Sequence, residues 1–349
     1  MMGPTAMTQA AEQVIRITAG LSIAWFLLPK GVEYAAVGIS IGVICGELAG
    51  FVFMLWIYYR KRPQISTSTY CAFEPISSSL RRIFNLGIPV TLTRFFSTFI
   101  LSVEAILIPH QLLIWGMGTA EATATYGQFV GISETLLFTP SVITSAMATA
   151  LVPAISEAMA QRNQYLVQNR SEEAVRLTSI VGMPMIAVFL TLSWELCQTL
   201  FGYGSAATAL MIMAISGPFL YLSQTVTGIL QGLGKPAIPF KNMILASVVK
   251  IAGIYYLVPS YGPSGAAVAM SVSYVIMSWL NYRDMKKLTN LHVQAAQCFL
   301  KPLLASCLCG IAMWQAKLWL SAWGISQWPL LMFTLTAVSY THLFGKSSH

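Results

Sequence analysis

A hydrophobic stretch of the sequence, residues 83–110, contains an arginine and a glutamate, Arg94 and Glu104. A charge at the centre of a bilayer costs roughly 2.5–3.5 kcal/mol on insertion scales, so charged side chains in such stretches normally face a bundle interior or a water-filled cavity. At about 100° per residue, the polar side chains fall within half of the helix circumference, and the other half is apolar. The stretch is therefore predicted to be a membrane helix that lines a path. Its polar members are Thr91, Arg94, Ser97, Thr98, Ser102 and Glu104.

Two further cations, Arg16 and Lys250, lie in other apolar stretches. Arg16 follows Glu12 by four residues, a spacing that permits an ion pair on one helix surface. The alternative for Arg16 is that its head group extends to the membrane interface. Lys250 has no acidic residue nearby in its own helix. It is therefore expected either to pair with an acid on another helix or to face a cavity.

Two carboxylates inside apolar stretches, Glu104 and Glu134, are candidates for ion coupling. A buried carboxylate can take up a proton, or it can bind Na⁺ together with neighbouring hydroxyl groups. The alternative for both glutamates is a salt bridge to Arg94 that only fixes helix packing. Both interpretations remain open from the sequence.

The whole chain has the composition of a membrane protein. It is 349 residues long, 56% hydrophobic and only 9% charged, with a mean hydropathy of +0.67. Apolar runs of about 20 residues recur along it, each long enough to cross a hydrocarbon core. The predicted fold class is an all-α polytopic membrane protein. The net charge of +8 comes mostly from basic residues in short loops, so no nucleic-acid partner is expected, and the six cysteines show no zinc or redox spacing that would indicate a cofactor.

The apolar runs predict ten membrane spans. Fourteen of the twenty basic residues lie in four alternate connecting loops or at the adjoining span ends, whereas only Lys30 and Lys317 lie at the opposite side. By the positive-inside rule the basic loops are cytoplasmic, which also places both ends of the chain in the cytoplasm. Four prolines inside or near spans predict either hinges or ordinary packing kinks. The spans are 8–29, 36–58, 83–109, 127–153, 176–200, 206–230, 237–258, 264–282, 298–320 and 326–340, and the prolines are Pro89, Pro140, Pro184 and Pro218.

A weak internal repeat relates residues 4–60 to residues 236–283. Arg16 in VIRI corresponds to Lys250 in VVKI. Four predicted spans lie between the two copies and none precedes the first, so the chain is expected to be a fragment that lacks four N-terminal spans of a two-lobe transporter. The expected parts are a remnant of the N-terminal lobe at 1–62, a cytoplasmic inter-lobe loop at 63–82, a C-terminal lobe at 83–287, and two extra helices at 288–349, the last one truncated.

Four segments together resemble one known family. They are PTAMTQAAEQVIRI at 4–17, GVEYAAVGISIGVICGELAG at 31–50, ETLLFTPSVITSAMATALVPAISEAM at 134–159 and GILQGLGKPAIP at 228–239. They resemble the stage V sporulation protein B group, in the polysaccharide transporter branch of the multidrug/oligosaccharidyl-lipid/polysaccharide exporter superfamily. The resemblance implies fourteen helices, arranged as two six-helix lobes plus two, of which this chain matches helices five to fourteen.

The resemblance also implies flipping of a lipid-linked saccharide, such as an undecaprenyl-diphosphate peptidoglycan precursor, for spore cortex or cell-wall synthesis. Its partners would be that lipid, membrane lipids and a coupling ion, either a proton or Na⁺. Guanidinium is the best partner for a diphosphate, so Arg94 is the first candidate for substrate binding, followed by Arg16 and Lys250. Gln128 is a candidate for binding sugar hydroxyls. The alternatives are a cation-coupled multidrug exporter and a membrane enzyme acting on lipid-linked sugars, although the loops lack the clustered groups that catalysis needs.

Overall fold

The computed structural model describes residues 3–65, 76–290 and 296–322, and within these ranges the protein is helical. The chain divides into two compact units at Ser79 and Leu80, near the start of the third helix. The helices are α1 (Gly3–Leu27), α2 (Val32–Ile65), α3 (Ile76–Trp115), α4 (Thr119–Gln128), α5 (Thr135–Phe138), α6 (Ser141–Ala160), α7 (Gln164–Phe201), α8 (Ala207–Ala214), α9 (Gly217–Gly232), α10 (Ala237–Tyr261), α11 (Pro263–Thr289) and α12 (Lys301–Ala322).

Eight helices in the described ranges are long and apolar enough to cross a membrane. The number rises to nine if the pair Gly204–Ala214 and Gly217–Gly232, which is bent by 58°, forms a single broken span. The predicted class of all-α polytopic membrane protein is thus confirmed. The tenth predicted span, 326–340, lies outside the described residues.

The predicted span over 127–153 is not one regular α-helix. After α4, a π-helical turn runs from Phe129 to Glu134, and α5 then ends just before Pro140. Proline has no backbone N–H and its ring clashes with the preceding turn, so Pro140 interrupts the helix and α6 starts afresh at Ser141. Pro218 likewise opens α9 after the 58° bend. The other two prolines proposed as hinges, Pro89 and Pro184, lie inside the continuous helices α3 and α7.

The first unit contains a hairpin of α1 and α2 whose backbones touch. Glycines recur at every fourth position of α2, so they lie along one face of the helix. A Cβ atom added at Gly42 would lie 2.3 Å from Cα of Gly20 on α1, which shows how closely the two backbones approach. Small residues at this spacing are a common means of close helix packing in membranes. The glycines are Gly38, Gly42, Gly46 and Gly50.

In the second unit, α9 lies at the centre of the packing. Tyr221 of α9 is fully buried and its hydroxyl donates to the carbonyl oxygen of Leu137 at 2.7 Å. A Cβ atom added at Gly228 would lie 2.5 Å from the carbonyl oxygen of Ala148, so α6 lies directly against α9. Hydroxyl and amide groups connect α9 to its neighbours, because polar groups buried in hydrocarbon need partners inside the protein. These bonds are Thr178 to Thr225 at 2.7 Å and Thr144 to Gln224 at 2.8 Å.

A buried amide network joins α9, α10 and α11. The side-chain nitrogen of Asn242 donates to Oδ1 of Asn281 at 2.9 Å and to Oδ2 of Asp284 at 3.0 Å. The side-chain nitrogen of Asn281 donates in turn to Oγ of Ser223 at 3.1 Å and to Oγ1 of Thr227 at 3.3 Å. Both asparagines are buried. The network therefore ties three helices together at one level of the second unit.

Candidate functional site: a buried carboxylate cluster and a polar stripe on α3

The helices α3 and α10 run side by side in the same direction. The rings of Phe96 and Phe240 are 5.5 Å apart, and Oγ of Ser97 donates to the sulfur of Met243 at 3.2 Å. Further along, Glu104 of α3 pairs with Lys250 of α10. Because the contacts occur in the same order on both helices, the helices are parallel, and residues of α3 lie opposite α10 residues that come about 146 positions later in the chain.

The ion pair between Glu104 and Lys250 is buried. The side chain of Glu104 is 2% exposed and that of Lys250 is 13% exposed. An isolated buried charge is strongly unfavourable, so each group supplies the counter-charge that the other needs. Of the two expectations for Lys250, the structure shows pairing with an acid on another helix. The acid is one of the two predicted coupling carboxylates.

The second predicted coupling carboxylate, Glu134, belongs to the same cluster. It lies at the end of the π-helical turn and accepts a hydrogen bond from the hydroxyl of Tyr274 at 3.3 Å. Glu104 and Lys250 are close enough to Glu134 to interact with it electrostatically, and Tyr126 interacts with both carboxylates. Single π-helical turns occur often at functional sites. We call Glu104, Tyr126, Glu134, Lys250 and Tyr274 the carboxylate cluster.

The charges of the carboxylate cluster do not balance. Glu104 and Glu134 carry two negative charges when ionised, and Lys250 supplies one positive charge. Charged groups buried in a membrane protein are normally paired or mark an ion pathway. Chemically, the cluster can therefore accept one more monovalent cation. Among the described residues, no three histidine, cysteine, aspartate or glutamate side chains lie close enough together to hold a metal ion.

Arg94 lies on α3 almost three turns before Glu104, and its side chain is exposed. It forms no ion pair with any residue in the described ranges, so neither of its expected partners, Glu104 and Glu134, is paired with it. Three hydroxyl residues on the same side of α3 are also exposed. We call Arg94 and these residues, Thr91, Thr98 and Ser102, the α3 polar stripe.

The six polar residues predicted to share one face of α3 divide into two groups. Ser97 and Glu104 contact α10, whereas the α3 polar stripe remains open. Within the stripe, Thr98 donates to the carbonyl of Arg94 at 3.1 Å and Ser102 donates to the carbonyl of Thr98 at 3.0 Å. Each hydroxyl oxygen still has acceptor capacity. The stripe thus presents one guanidinium and three hydroxyl groups on one exposed side of the span.

Gln128 is the last residue of α4, and it is half-buried. Its side-chain oxygen accepts a hydrogen bond from Oγ of Ser205 at 2.8 Å. The amide therefore joins α4 to the segment before α8. The sequence placed it at the entrance of a predicted span, and in the structure the α-helix changes directly after it into the π-helical turn Phe129–Glu134.

Arg16 belongs to the first unit, where two carboxylates hold it. It pairs with Glu12 one turn earlier, as the spacing permits, and its guanidinium lies 2.9 Å from Oε1 of Glu47 on α2. A Cβ atom added at Gly46 would lie 2.9 Å from Cβ of Arg16, so this glycine leaves room for the arginine. Sequence reasoning missed both the partner Glu47 and the glycine face, although the four-residue glycine spacing was a readable signal.

Another ion pair across helices joins α12 to α7. The ammonium of Lys317 lies 2.6 Å from Oε1 of Glu195 and donates to the carbonyl of Thr191 at 3.0 Å. A Cβ atom added at Gly310 would lie 3.2 Å from Cβ of Ala187, so the two helices are also close along their length. Sequence reasoning treated Lys317 only as a loop residue.

Comparison with known proteins identifies relatives over most of the chain. The family model described as lipid II flippase MurJ matches residues 17–334. Stage V sporulation protein B of Bacillus subtilis (strain 168) is 31% identical over 296 residues, which is 84% of this chain and 57% of the relative. Lipid II flippase MurJ of the same organism is 23% identical over 295 residues, 79% of this chain and 53% of the relative. The chain thus spans about half the length of these curated relatives.

Solved structures show the same fold. The inward closed conformation of lipid II flippase MurJ superimposes with a TM-score of 0.58 at 15% identity, covering 97% of this chain and 66% of that one. The bent form of the Vibrio cholerae MATE transporter VcmN gives a TM-score of 0.60 at 16% identity, covering 85% of this chain and 64% of that one. Since the family model matches far more than half of its residues, this multi-pass membrane chain belongs to the lipid II flippase MurJ family.

Proposed function

We propose that this chain is part of a flippase that moves a lipid-linked saccharide, an undecaprenyl-diphosphate peptidoglycan precursor, across the cell membrane. The family match over residues 17–334 carries this proposal. The similarity to a protein named for stage V of sporulation supports a role in the spore cortex or cell wall. The chain would move its substrate without covalent chemistry.

The α3 polar stripe is the proposed contact for the substrate head group. A diphosphate is anionic, and a guanidinium can bind two of its oxygens at once. Arg16 and Lys250 are held by carboxylates, whereas Arg94 is exposed and forms no ion pair within the described ranges. We therefore assign the diphosphate first to Arg94. The hydroxyls of the stripe and the amide of Gln128 suit sugar hydroxyl groups, and Arg16 and Lys250 would join only if their ion pairs opened.

The carboxylate cluster is the proposed site of ion coupling. Its uncompensated charge is on Glu134, which is hydrogen-bonded to a neutral tyrosine rather than paired with a cation. Uptake of one monovalent cation would neutralise the cluster. It would thereby change the electrostatic attraction between the cluster residues on α3, α10 and α11. We further propose that the four basic loops, and with them both ends of the chain, are cytoplasmic. The lobe boundaries at 62, 82 and 287 remain predictions.

The test is a flipping assay in vesicles with a fluorescent undecaprenyl-diphosphate disaccharide, using this chain in its natural sequence context. Arg94→Gln is expected to reduce the flipping rate at least tenfold, because a charge-assisted phosphate contact contributes about 1.5–3 kcal/mol. The matched control is Arg81→Gln, since Arg81 is an exposed arginine on the same helix but before the membrane span. Equal rates for the Arg94 variant and the wild type would remove the assignment of Arg94.

The alternative is a cation-coupled multidrug exporter, which the similarity in fold to VcmN favours. An exporter of cationic drugs would use an acidic cavity, and an exposed arginine would repel such substrates. Efflux of a cationic dye from cells that express the protein separates the two proposals. Dye efflux without flipping of the lipid would favour the exporter.

A further inference from the structure

The partner of Glu104 in the carboxylate cluster is an ammonium group that belongs to the protein. The side chain of Lys250 is 13% exposed and that of Glu104 is 2% exposed, so water can do little to stabilise either charge. Ammonium and Na⁺ carry the same charge and both are attracted to carboxylate oxygens. Lys250 thus occupies the place where Glu104 would otherwise attract a cation from solution.

We propose that Lys250 is a built-in counter-cation, and that the cluster consequently exchanges a proton at Glu134 while excluding Na⁺. This inference rests on the proposed transport function, because it names the coupling ion. A sodium ion in proteins needs several oxygen ligands at once. In this cluster it would have to share the carboxylates with the ammonium, and the two cations would repel each other at close range in a medium of low dielectric constant.

A proton avoids both difficulties. It needs only one oxygen of Glu134, and it leaves Oε1 free to accept the hydrogen bond from Tyr274. The proton would come from the aqueous phase and return to it. The charged and titratable groups around Glu134 come from four helices, and α5 and α8, which also pack against the π-helical turn, contain none. Those groups are Glu104 on α3, Tyr126 on α4, Lys250 on α10 and Tyr274 on α11.

The helix α7 also touches the π-helical turn. Its carboxylate in this region, Glu195, is paired with Lys317 of α12. The nearby thiol of Cys197 is buried and free of disulfide bonding. Neither group therefore offers Glu134 a compensating positive charge, and the excess charge of the cluster stays with Glu134.

The test measures ion binding on the purified chain in detergent and needs no transport. Thermal unfolding is followed in NaCl and in choline chloride at equal ionic strength. The wild type is expected to unfold at the same temperature in both salts. Lys250→Met removes the ammonium while keeping most of the side-chain length, so its unfolding temperature should rise saturably with Na⁺ and not with choline. Lys241→Met, on an exposed lysine of the same helix, is the matched control and should show no response.

Two more variants keep the inference testable if Lys250→Met does not fold. The double variant Glu104→Gln with Lys250→Met has no unpaired charge at this position, so it should fold and show no Na⁺ response. Acid–base titration of the wild type and of Glu134→Gln should differ by a single proton per chain. A saturable Na⁺ response in the wild type, a folded Lys250→Met without one, or identical titration curves would each overturn the inference. Failure of flipping with these results intact would instead count against the proposed function.

Discussion

Removal of the Asn281 side chain is expected to loosen three helices at once. Asn281 is fully buried, and its amide makes one hydrogen bond to Asn242 of α10 and two to Ser223 and Thr227 of α9. Side-chain hydrogen bonds in membrane proteins contribute about 0.6 kcal/mol each on average. Three such bonds amount to about 2 kcal/mol, and the cavity left by the amide adds to this value. We therefore expect Asn281→Ala to lower the free energy of unfolding by about 2–3 kcal/mol.

The cost stays in this range because two of the three partners have other bonds. Asn242 still donates to Asp284 at 3.0 Å, and Thr227 still donates to the carbonyl of Ser223 at 2.8 Å. An unpartnered buried group would otherwise cost about 1–3 kcal/mol by itself. A loss well above 4 kcal/mol would show that these remaining bonds do not compensate.

The assay is reversible unfolding in mixed detergent micelles, with sodium dodecyl sulfate as the denaturant. Asn169→Ala, on an exposed asparagine of α7, is the control and should change the free energy of unfolding by less than about 0.5 kcal/mol. In a double-mutant cycle, Asn242→Ala and Asn281→Ala should be coupled by about 0.6–1.7 kcal/mol, because they share one hydrogen bond. Additive effects, or no loss for Asn281→Ala, would refute the network as a source of stability.

Two further substitutions test the packing of other helices. Gly42→Ala would place Cβ 2.3 Å from Cα of Gly20, and neither backbone can move without separating α1 from α2, so the unfolding temperature should fall. The control is Gly87→Ala, where an added Cβ atom meets nothing within 4 Å. This change should leave the unfolding temperature the same or raise it. Lys317→Met would leave Glu195 buried without a cation. The free energy of unfolding in detergent should fall by an amount near the lower end of about 3–5 kcal/mol, because Lys317 is 30% exposed. The double variant in which Glu195 is also changed to Gln should show no such loss.

Reasoning from the sequence reached the class of the protein, because hydropathy is a local property of each apolar run. It also found every charged residue of the carboxylate cluster, since a charge inside an apolar span is conspicuous wherever it occurs. It overlooked the tyrosines Tyr126 and Tyr274, which look like ordinary aromatic residues in such a sequence. Hydropathy did not register the interruption within the predicted span 127–153, although the sequence marked its position with Pro140.

The partners of these charges could only come from the tertiary structure. Glu104 and Lys250 are 146 residues apart, and three helical segments of the second unit bring them and Glu134 together. The sequence by itself determined that several charges had to be hidden from lipid. The packing of α3 against α10 and of α1 against α2 decided which charges pair with each other. It also decided that, of the three predicted cations, Arg94 alone forms no ion pair in the described ranges. Burial demands that charges be paired, but only helix packing sets the distances that select the pairs.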